Sequence, residues 1–266
     1  MSVREGAPVR YRARVEYDGT EFDGFQVQPG RRTVQGELES ALARLSDGSR
    51  VRVVAAGRTD AGVHASGQVI AFTYAGRLSM RELGRALASI LPADVAIDGL
   101  GRADPAFYPR RAARYREYRY TVWNGPRSPL RERYALGVRG PLDVAAMAEA
   151  ASVLVGRHDF SAFGAAHRQS IRTLTGVRVR RRGRMVTIDV TGDAFLRQMV
   201  RSIAAALLRI GRGELTRAEV EAALESPARA FERTVAPPHG LCLRRVVFDG
   251  PARWTEKDDH EDVHST

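Results

Sequence analysis

The order of strand-like and helix-like segments constrains this chain most, because the same order occurs twice. Strands alternate apolar and polar side chains, whereas helices repeat apolar residues every three to four positions. In the first half, Thr33 is a helix cap and the Ser79–Glu82 pair has the spacing of a capping box. We expect the helices after these caps to alternate with strands at Tyr11–Tyr17, Val51–Ala56, Gln68–Tyr74 and Val95–Leu100.

The second half repeats this order. Asp143 caps a helix that we expect Gly156 to end, and Thr216 with Glu219 has the spacing of another capping box. The remaining segments are predicted as strands at Tyr115–Trp123 and Leu241–Phe248, a hairpin of Val177–Arg182 with Met185–Thr191 about Gly183, and a long helix at Phe195–Ile210.

Each half therefore has the β-α-β-β-α-β order of a ferredoxin-like unit. The sequence predicts an α+β fold of two ferredoxin-like lobes, with mainly antiparallel sheets flanking a central cleft. We place the N-terminal lobe at residues 1–105, the C-terminal lobe at residues 106–250, and a polar tail too hydrophilic to pack at residues 251–266. Ligands favour the cleft between such lobes.

An excess of positive charge points to a polyanionic partner. The 266 residues include 42 lysines and arginines against 31 aspartates and glutamates, a net charge of +11, and Lys257 is the only lysine. Genomic base composition accounts for the choice of arginine over lysine but not for the excess charge. Because guanidinium groups pair with phosphates and stack on bases, nucleic acid is the first candidate.

The sequence also limits where the protein works. Cys242 is the only cysteine, so one chain builds neither a disulfide nor a cysteine zinc site. No apolar run approaches the length of a membrane span, and Met1–Pro8 lacks a signal-peptide core. We expect a cytoplasmic protein that does not associate with membranes.

The segment Ala56–Ala65 is the strongest candidate for chemistry. It follows a predicted buried strand, and Gly57 and Gly62 allow sharp turns on either side of Arg58 and Asp60. A carboxylate on such a turn, beside a cation, is placed to meet a ligand. The alternative is that Asp60 only caps the turn through its own backbone.

Other candidates also have two interpretations. Tyr118 shares a strand face with Tyr120 and Val122, and is either a core aromatic or a stacking platform for a base. Arg197 and Arg201, four residues apart on the predicted helix, meet a carboxylate or phosphate, or extend to solvent. Two basic runs either are solvated or contact phosphates; they comprise Arg110, Arg111, Arg114, Arg116 and Arg119, and Arg178, Arg180, Arg181, Arg182 and Arg184.

Motifs of several enzyme classes are absent from the sequence. It has no P-loop, no dinucleotide-binding fingerprint, no His-Glu-x-x-His and no Gly-x-Ser-x-Gly, and its six histidines lack metal-binding spacing. We therefore expect chemistry based on a carboxylate, with no metal and no cofactor.

Several separate segments together closely resemble the bacterial tRNA pseudouridine synthase A family, across about Tyr11 to Phe248. The motif residues show no departure from the family pattern. The segments that carry the resemblance are Tyr17–Thr20, Gly24–Gln26, Thr33–Glu39, Gly57–Ala65, Tyr118–Tyr120, His158–Phe163, Phe195–Arg201 and Ala236–Leu241.

The resemblance implies the pseudouridine synthase fold and an activity. Members of the family isomerise uridine to pseudouridine at positions 38, 39 and 40, in the anticodon stem-loop of tRNA. The base leaves the ribose at nitrogen, rotates and rejoins through C5, so the reaction needs neither metal nor cofactor. The family works as a homodimer in which tRNA contacts both subunits.

The resemblance also implies roles for individual residues. Asp60 is the nucleophile, which either attacks the sugar C1′ or abstracts a ribose proton, and Arg201 is the buried arginine that pairs with it. Tyr118 packs on the target base. Arg58 supports base flipping by filling the space that the uridine leaves. Leu241 or Leu243 forms an apolar wall of the site.

Two other functions remain as alternatives to an RNA-modifying isomerase. A catalytically silent RNA-binding module would have the same charge and sheets but would gain nothing from a carboxylate facing phosphates. A metal-dependent nuclease would need two or more clustered carboxylates, and the Ala56–Ala65 segment offers only Asp60.

Overall fold

The computed structural model describes residues 7–165, 169–225 and 233–249. The first half of the chain contains β1 (Val9–Tyr17), α1 (Val34–Arg44), β2 (Val54–Ala55), β3 (His64–Tyr74), α2 (Met80–Ile90) and β4 (Val95–Arg102). The second half contains α3 (Pro109–Ala112), β5 (Ala113–Asn124), β6 (Leu136–Val138), α4 (Val144–Ser152), β7 (Gly156–Asp159), β8 (Ile171–Arg182), β9 (Met185–Gly192), α5 (Met199–Gly211), α6 (Arg217–Glu225) and β10 (Leu241–Phe248).

The strands of both halves form one continuous sheet. Its order is β4-β1-β3-β10-β5-β9-β8-β7, with β2 beside β3 and β6 beside β5. The α+β class and the mainly antiparallel pairing are confirmed. The two halves join where β10 runs parallel to β3, with Cys242 opposite His64 and Leu243 opposite Ala65. The lobes are therefore connected through their sheet edges beside the cleft.

Several local signals in the sequence are confirmed. The Ser79 hydroxyl accepts a hydrogen bond from the Glu82 amide, and the Glu82 carboxylate accepts one from the Ser79 amide, which completes the capping box of α2. Thr216 and Glu219 bond in the same way at the start of α6. These reciprocal bonds satisfy amides that would otherwise lack partners at a helix start.

Several predicted element bounds were wrong; the first strand of the hairpin, for example, begins at Ile171 rather than Val177. The strand predicted at Val51–Ala56 is reduced to Val54–Ala55, although Val51 and Val53 are buried. The β3 strand begins at His64 rather than Gln68, because its first residues pair with β10. The α4 helix ends at Ser152, and Gly156, with φ of +120°, begins β7 instead of ending the helix.

The long helix predicted at Phe195–Ile210 begins only at Met199. Gln198 precedes it with φ of 65°, in the left-handed region that interrupts a helix. Leu196 is buried, and the Phe195 ring meets the Tyr118 ring edge-on with centroids 5.1 Å apart. These apolar residues therefore pack from a loop and not from a helix.

The helices cover the sheet with apolar side chains. From α1, Val34, Leu38 and Leu42 are buried, and from α2, Leu83 and Leu87. Nearly all of α5 is buried, and it contacts both α4 and β5. Full burial of one such side chain stabilises the fold by about 1.5–3 kcal/mol. The loops at the cleft are therefore anchored on a well-packed core.

Within residues 7–165, 169–225 and 233–249, no helix combines the length and apolarity needed to cross a membrane. The polar tail predicted at residues 251–266 lies outside the described residues. The boundary between residues 105 and 106 falls between β4 and α3 and stays a prediction.

Candidate active site

A cavity of about 1080 Å³ opens where the two halves of the sheet meet. Residues from both halves line it, including the turn before β3, one face of β5 and the loop before α5. Within the described part of the chain, positively charged side chains outnumber negatively charged ones in its lining. The lining contains Asp23 and Asp60 as its only carboxylates, against seven arginines: Arg31, Arg58, Arg110, Arg116, Arg172, Arg197 and Arg201. Such a cavity favours a polyanion.

Buried polar groups of the N-terminal half hold the turn that carries Asp60. The side-chain amide of Gln68, which is fully buried, accepts from the Gly57 amide at 3.3 Å and donates to the Gly57 carbonyl at 2.8 Å. The Thr59 hydroxyl bonds the buried Tyr17 hydroxyl at 2.8 Å. Because these partners lie in the core strands β3 and β1, the backbone on the N-terminal side of Asp60 is fixed.

Two glycines are required by their left-handed backbone and by the close approach of neighbouring atoms. Gly24 has φ of +97°, and a Cβ there would lie 2.9 Å from the Thr59 carbonyl oxygen. Gly62 has φ of +74°, and a Cβ there would lie 2.8 Å from the Pro238 ring. Any larger residue would therefore displace the turn.

Asp60 and Arg201 form an ion pair across the junction of the lobes. The Arg201 Nη1 lies 3.1 Å from the Asp60 Oδ2, and the Arg201 Nε donates to the Ala236 carbonyl at 2.7 Å. The Arg201 side chain is 13% exposed and that of Asp60 26%, so the carboxylate still reaches the cavity. Within the described residues, the Asp60 side chain makes no hydrogen bond to its own turn, which removes the turn-cap interpretation.

Tyr118 belongs to the hydrophobic core and also lines the cavity. It is 8% exposed, in line with the alternation of β5, and it still lines the cavity beside Asp60. Phe195 holds the Tyr118 ring from its edge. Burial raises the pKa of the Tyr118 phenol to about 12, and the nearby Arg116 charge offsets this rise only in part. The phenol is therefore neutral at physiological pH and offers a flat, uncharged face.

The other predicted site residues differ in their placement. Arg58 lines the cavity and is exposed, and its guanidinium has no bond or ion pair to any residue that the structure describes. Leu241 also lines the cavity, whereas Leu243 is fully buried and away from its surface. Arg197 precedes α5, so it does not share a helix face with Arg201 as predicted, but it reaches the cavity by the loop.

The two basic runs are not uniform. In the run before and within β5, Arg110, Arg111 and Arg114 are exposed, whereas Arg116 is buried and Arg119 pairs with Asp189. The hairpin arginines Arg178, Arg180, Arg181, Arg182 and Arg184 are all exposed. Sequence reasoning did not separate the buried arginine from the exposed ones, and it gave Gln68 no functional role.

A second polar cluster surrounds Asp18 and includes His64 at the start of β3. Asp18 accepts hydrogen bonds from the Arg133 and Tyr134 side chains, both at 2.9 Å, and its other oxygen lies 3.1 Å from the His64 Nδ1. Burial would raise the pKa of Asp18, but its hydrogen bonds, first those from Thr20, lower that pKa well below its usual range. Burial lowers the pKa of His64, despite the nearby Asp18 charge. This cluster ties β3 to the second half of the chain.

In the described ranges, no group of three or more histidine, cysteine, aspartate or glutamate side chains is arranged to bind a metal ion. The prediction that the chemistry uses no metal and no cofactor stays a prediction.

Comparison with known proteins identifies the family. The tRNA pseudouridine synthase family matches residues 13–104 and 150–249. The tRNA pseudouridine synthase A of Shouchella clausii is 42% identical over 246 residues, which cover 91% of this chain and 94% of that protein. The enzyme of the same name from Myxococcus xanthus is 44% identical over 252 residues, 92% and 95% of the two chains. That of Geobacter sulfurreducens is 44% identical over 238 residues, 88% and 97%.

The chain is thus an RNA-modifying isomerase that converts uridine in tRNA to pseudouridine. It belongs to the tRNA pseudouridine synthase family, and relatives named tRNA pseudouridine synthase A match it over most of its length. This membership decides for an isomerase over a silent RNA-binding module or a nuclease, and it confirms the family predicted from the motifs.

Proposed function

We propose that this enzyme modifies uridines 38, 39 and 40 in the anticodon stem-loop of tRNA, with Asp60 as its catalytic group. The ion pair of Asp60 with Arg201, in an arginine-lined cavity, is the observation that carries the proposal. The position numbers come from the family resemblance. A uridine in a loop or near a helix end is also the least costly to extrude from its stack.

Asp60 acts as a carboxylate. Arg201 holds it through the ion pair and leaves part of it accessible to the ligand. The carboxylate either attacks the sugar C1′ or abstracts a ribose proton, and the C1′–N1 bond breaks. The freed base rotates and forms the C1′–C5 bond; in the first route the Asp60–C1′ ester bond breaks as this bond forms, and in the second route Asp60 returns the proton to the ribose. The C5 proton then leaves, and N1 regains a proton. Nothing is consumed, so the balance requires no co-reactant.

The surrounding residues hold the extruded base. The neutral ring of Tyr118 packs on its face, and Leu241 gives the cavity an apolar wall. Stacking on an aromatic side chain contributes about 1–3 kcal/mol per base. Arg58, exposed at the cavity with an unengaged guanidinium among the described residues, fills the space that the uridine leaves in the RNA. The exposed arginines of the hairpin and of residues 110–114 contact tRNA phosphates.

The experiment is direct. Wild-type enzyme is incubated with an unmodified tRNA transcript that carries uridine at all three positions, without metal or nucleotide, and pseudouridines are mapped by sequence position. We expect modification at 38, 39 and 40 and none at uridines in the acceptor or D arms. Modification confined to another arm would refute the assignment of the anticodon stem-loop.

We also propose that the enzyme is a cytoplasmic homodimer, in which one tRNA contacts both subunits. Exposed arginines at separate places on the chain are consistent with an RNA that spans more than one subunit. Light scattering on the purified enzyme should give twice the chain mass of 29.3 kDa. A monomer at micromolar concentration, both with and without tRNA, would contradict this proposal.

A further inference from the structure

Arg116 is a buried cation with every donor engaged by backbone. Its side chain extends from β5, and the residue is 8% exposed. A guanidinium has five N–H donors, and here all five are used on four carbonyl oxygens. The Nε and Nη2 donate to Ala56 at 3.3 and 2.9 Å, Nη2 also to Arg110 at 2.7 Å, and Nη1 to Ala113 at 3.2 Å and Asp193 at 2.5 Å.

Within the part of the chain that the structure describes, the Arg116 guanidinium lies in no ion pair with a carboxylate. Among the described residues, Arg116 forms no salt bridge, in contrast to Arg32, Arg119, Arg201 and Arg245, which all pair with aspartate or glutamate. Taking a cation out of water costs several kcal/mol unless other groups replace the water. Here four carbonyl dipoles replace it. Arg116 therefore links the backbone of separate segments by hydrogen bonds instead of pairing with a carboxylate.

The segments that Arg116 links all adjoin residues of the candidate active site. Ala56 directly precedes the turn that carries Asp60. Asp193 begins the loop that holds Phe195 against Tyr118 and then enters α5, which carries Arg201. Arg110 lies in α3, Ala113 begins β5, and Arg116 lies two residues from Tyr118 on the same face of β5.

We propose that Arg116 is a positioning residue, which sets the distance between the Asp60 turn and the wall formed by Tyr118 and Arg201. This inference rests on the proposed role of Asp60. Arg116 acts through the backbone and not through contact with RNA, since all five of its N–H donors are occupied. A lysine cannot substitute, because an ammonium has three donors and lacks the planar fork that reaches four carbonyls.

The test separates geometry from binding and from folding. Pseudouridine formation is measured under single-turnover conditions at 20 °C with saturating tRNA, and tRNA affinity is measured separately. For Arg116→Lys we expect the rate to fall about 100-fold, as small misplacements of reacting groups do, with the dissociation constant within about threefold of wild type. Arg32→Lys is the matched control, because it removes a bidentate pair to Asp94 outside the cavity. Its rate should stay within about twofold of wild type.

A chemical rescue adds a readout that a loss of stability alone would not give. In Arg116→Ala, millimolar methylguanidinium should restore the rate at least about tenfold, whereas methylammonium should not. An Arg116→Lys rate above half that of wild type would overturn the proposal. So would a rate loss that follows the loss of tRNA affinity, or a folded Arg116→Ala that methylguanidinium fails to rescue. If both variants are unfolded at 20 °C, Arg116 acts in folding and not in positioning, and the proposal also fails.

The outcome is kept separate from that of the proposed function by assaying Asp60→Asn alongside. If Asp60→Asn keeps wild-type turnover, the role of Asp60 is wrong whatever Arg116 does. If Asp60→Asn is inactive and Arg116→Lys is fully active, only the role of Arg116 is wrong.

Discussion

Replacing Arg201 by methionine removes the charge opposite Asp60 while keeping an unbranched chain of similar length. At the 3.1 Å separation of Nη1 and Oδ2, the gross Coulomb attraction is about 5 kcal/mol for an effective dielectric constant of about 20. Desolvation of both groups offsets most of this, which leaves a net contribution of about 1–2 kcal/mol. The lost hydrogen bond from Nε to the Ala236 carbonyl adds about 1 kcal/mol. We therefore expect Arg201→Met to lower the free energy of unfolding by about 2–3 kcal/mol.

The larger effect falls on turnover, because the carboxylate loses the group that orients it. A misplacement of about 1 Å costs about 100-fold in rate. The rate is followed by release of tritium from C5 of labelled uridine in tRNA, since formation of the C1′–C5 bond expels the C5 hydrogen. We expect a loss of about 100-fold at saturating tRNA, with the tRNA dissociation constant changed less than about threefold.

Arg245→Met is the control, because Arg245 forms an exposed pair with Glu117 away from the cavity lining. It should cost at most about 1 kcal/mol of stability and leave turnover unchanged. If Arg201→Met keeps more than a third of wild-type turnover, or loses turnover only in step with affinity, Arg201 does not orient Asp60.

Four further perturbations test the surroundings of Asp60. Gly24→Ala places a Cβ against the Thr59 carbonyl at φ of +97°; it should destabilise the fold by about 1–3 kcal/mol and lower turnover, as chemical denaturation and the tritium assay would show. Tyr118→Leu removes the stacking face and should lower the single-turnover rate at least about tenfold; an unchanged rate would exclude base packing. Arg58→Ala should reduce turnover more than tRNA affinity, whereas equal losses would make it a phosphate contact. Burial lowers the pKa of His64 in the fold. The stability that the neutral imidazole contributes is therefore present above the unfolded pKa of about 6.5 and is lost as pH falls through the folded pKa. Urea unfolding between pH 7 and 5 should show a falling free energy of unfolding, and this free energy should depend less on pH in His64→Gln.

Local periodicity was sufficient for much of the fold. The β5 strand alternates buried and less buried residues from Arg116 to Val122 as predicted, because one face packs on the core. Both capping boxes and the hairpin about Gly183 have local signatures, and all are present. These features depend on residues within a few positions of each other, which is why the sequence alone indicates them.

Features that depend on distant partners were not predictable in this way. The parallel pairing of His64 with Cys242 joins residues far apart in the chain, and it extends β3 beyond its predicted start. The start of α5 is displaced because Phe195 and Leu196 pack from a loop. In the site, the glycine-bracketed turn indicated Asp60, but the pairing with Arg201 came from family resemblance and not from periodicity. The burial of Arg116 was not predicted, although the alternation of β5 places it on the face of Tyr118 and Tyr120, because its charge and the basic run around it suggested exposure.

The most direct test of the account compares Asp60→Asn with Asp23→Asn, the two carboxylates of the cavity lining that the structure describes. Both variants are assayed for tRNA binding and for pseudouridine formation without added metal. We predict that Asp60→Asn binds tRNA with nearly wild-type affinity and forms no pseudouridine, while Asp23→Asn retains most of its activity. Near wild-type turnover by Asp60→Asn would contradict the central claim that this carboxylate carries the reaction.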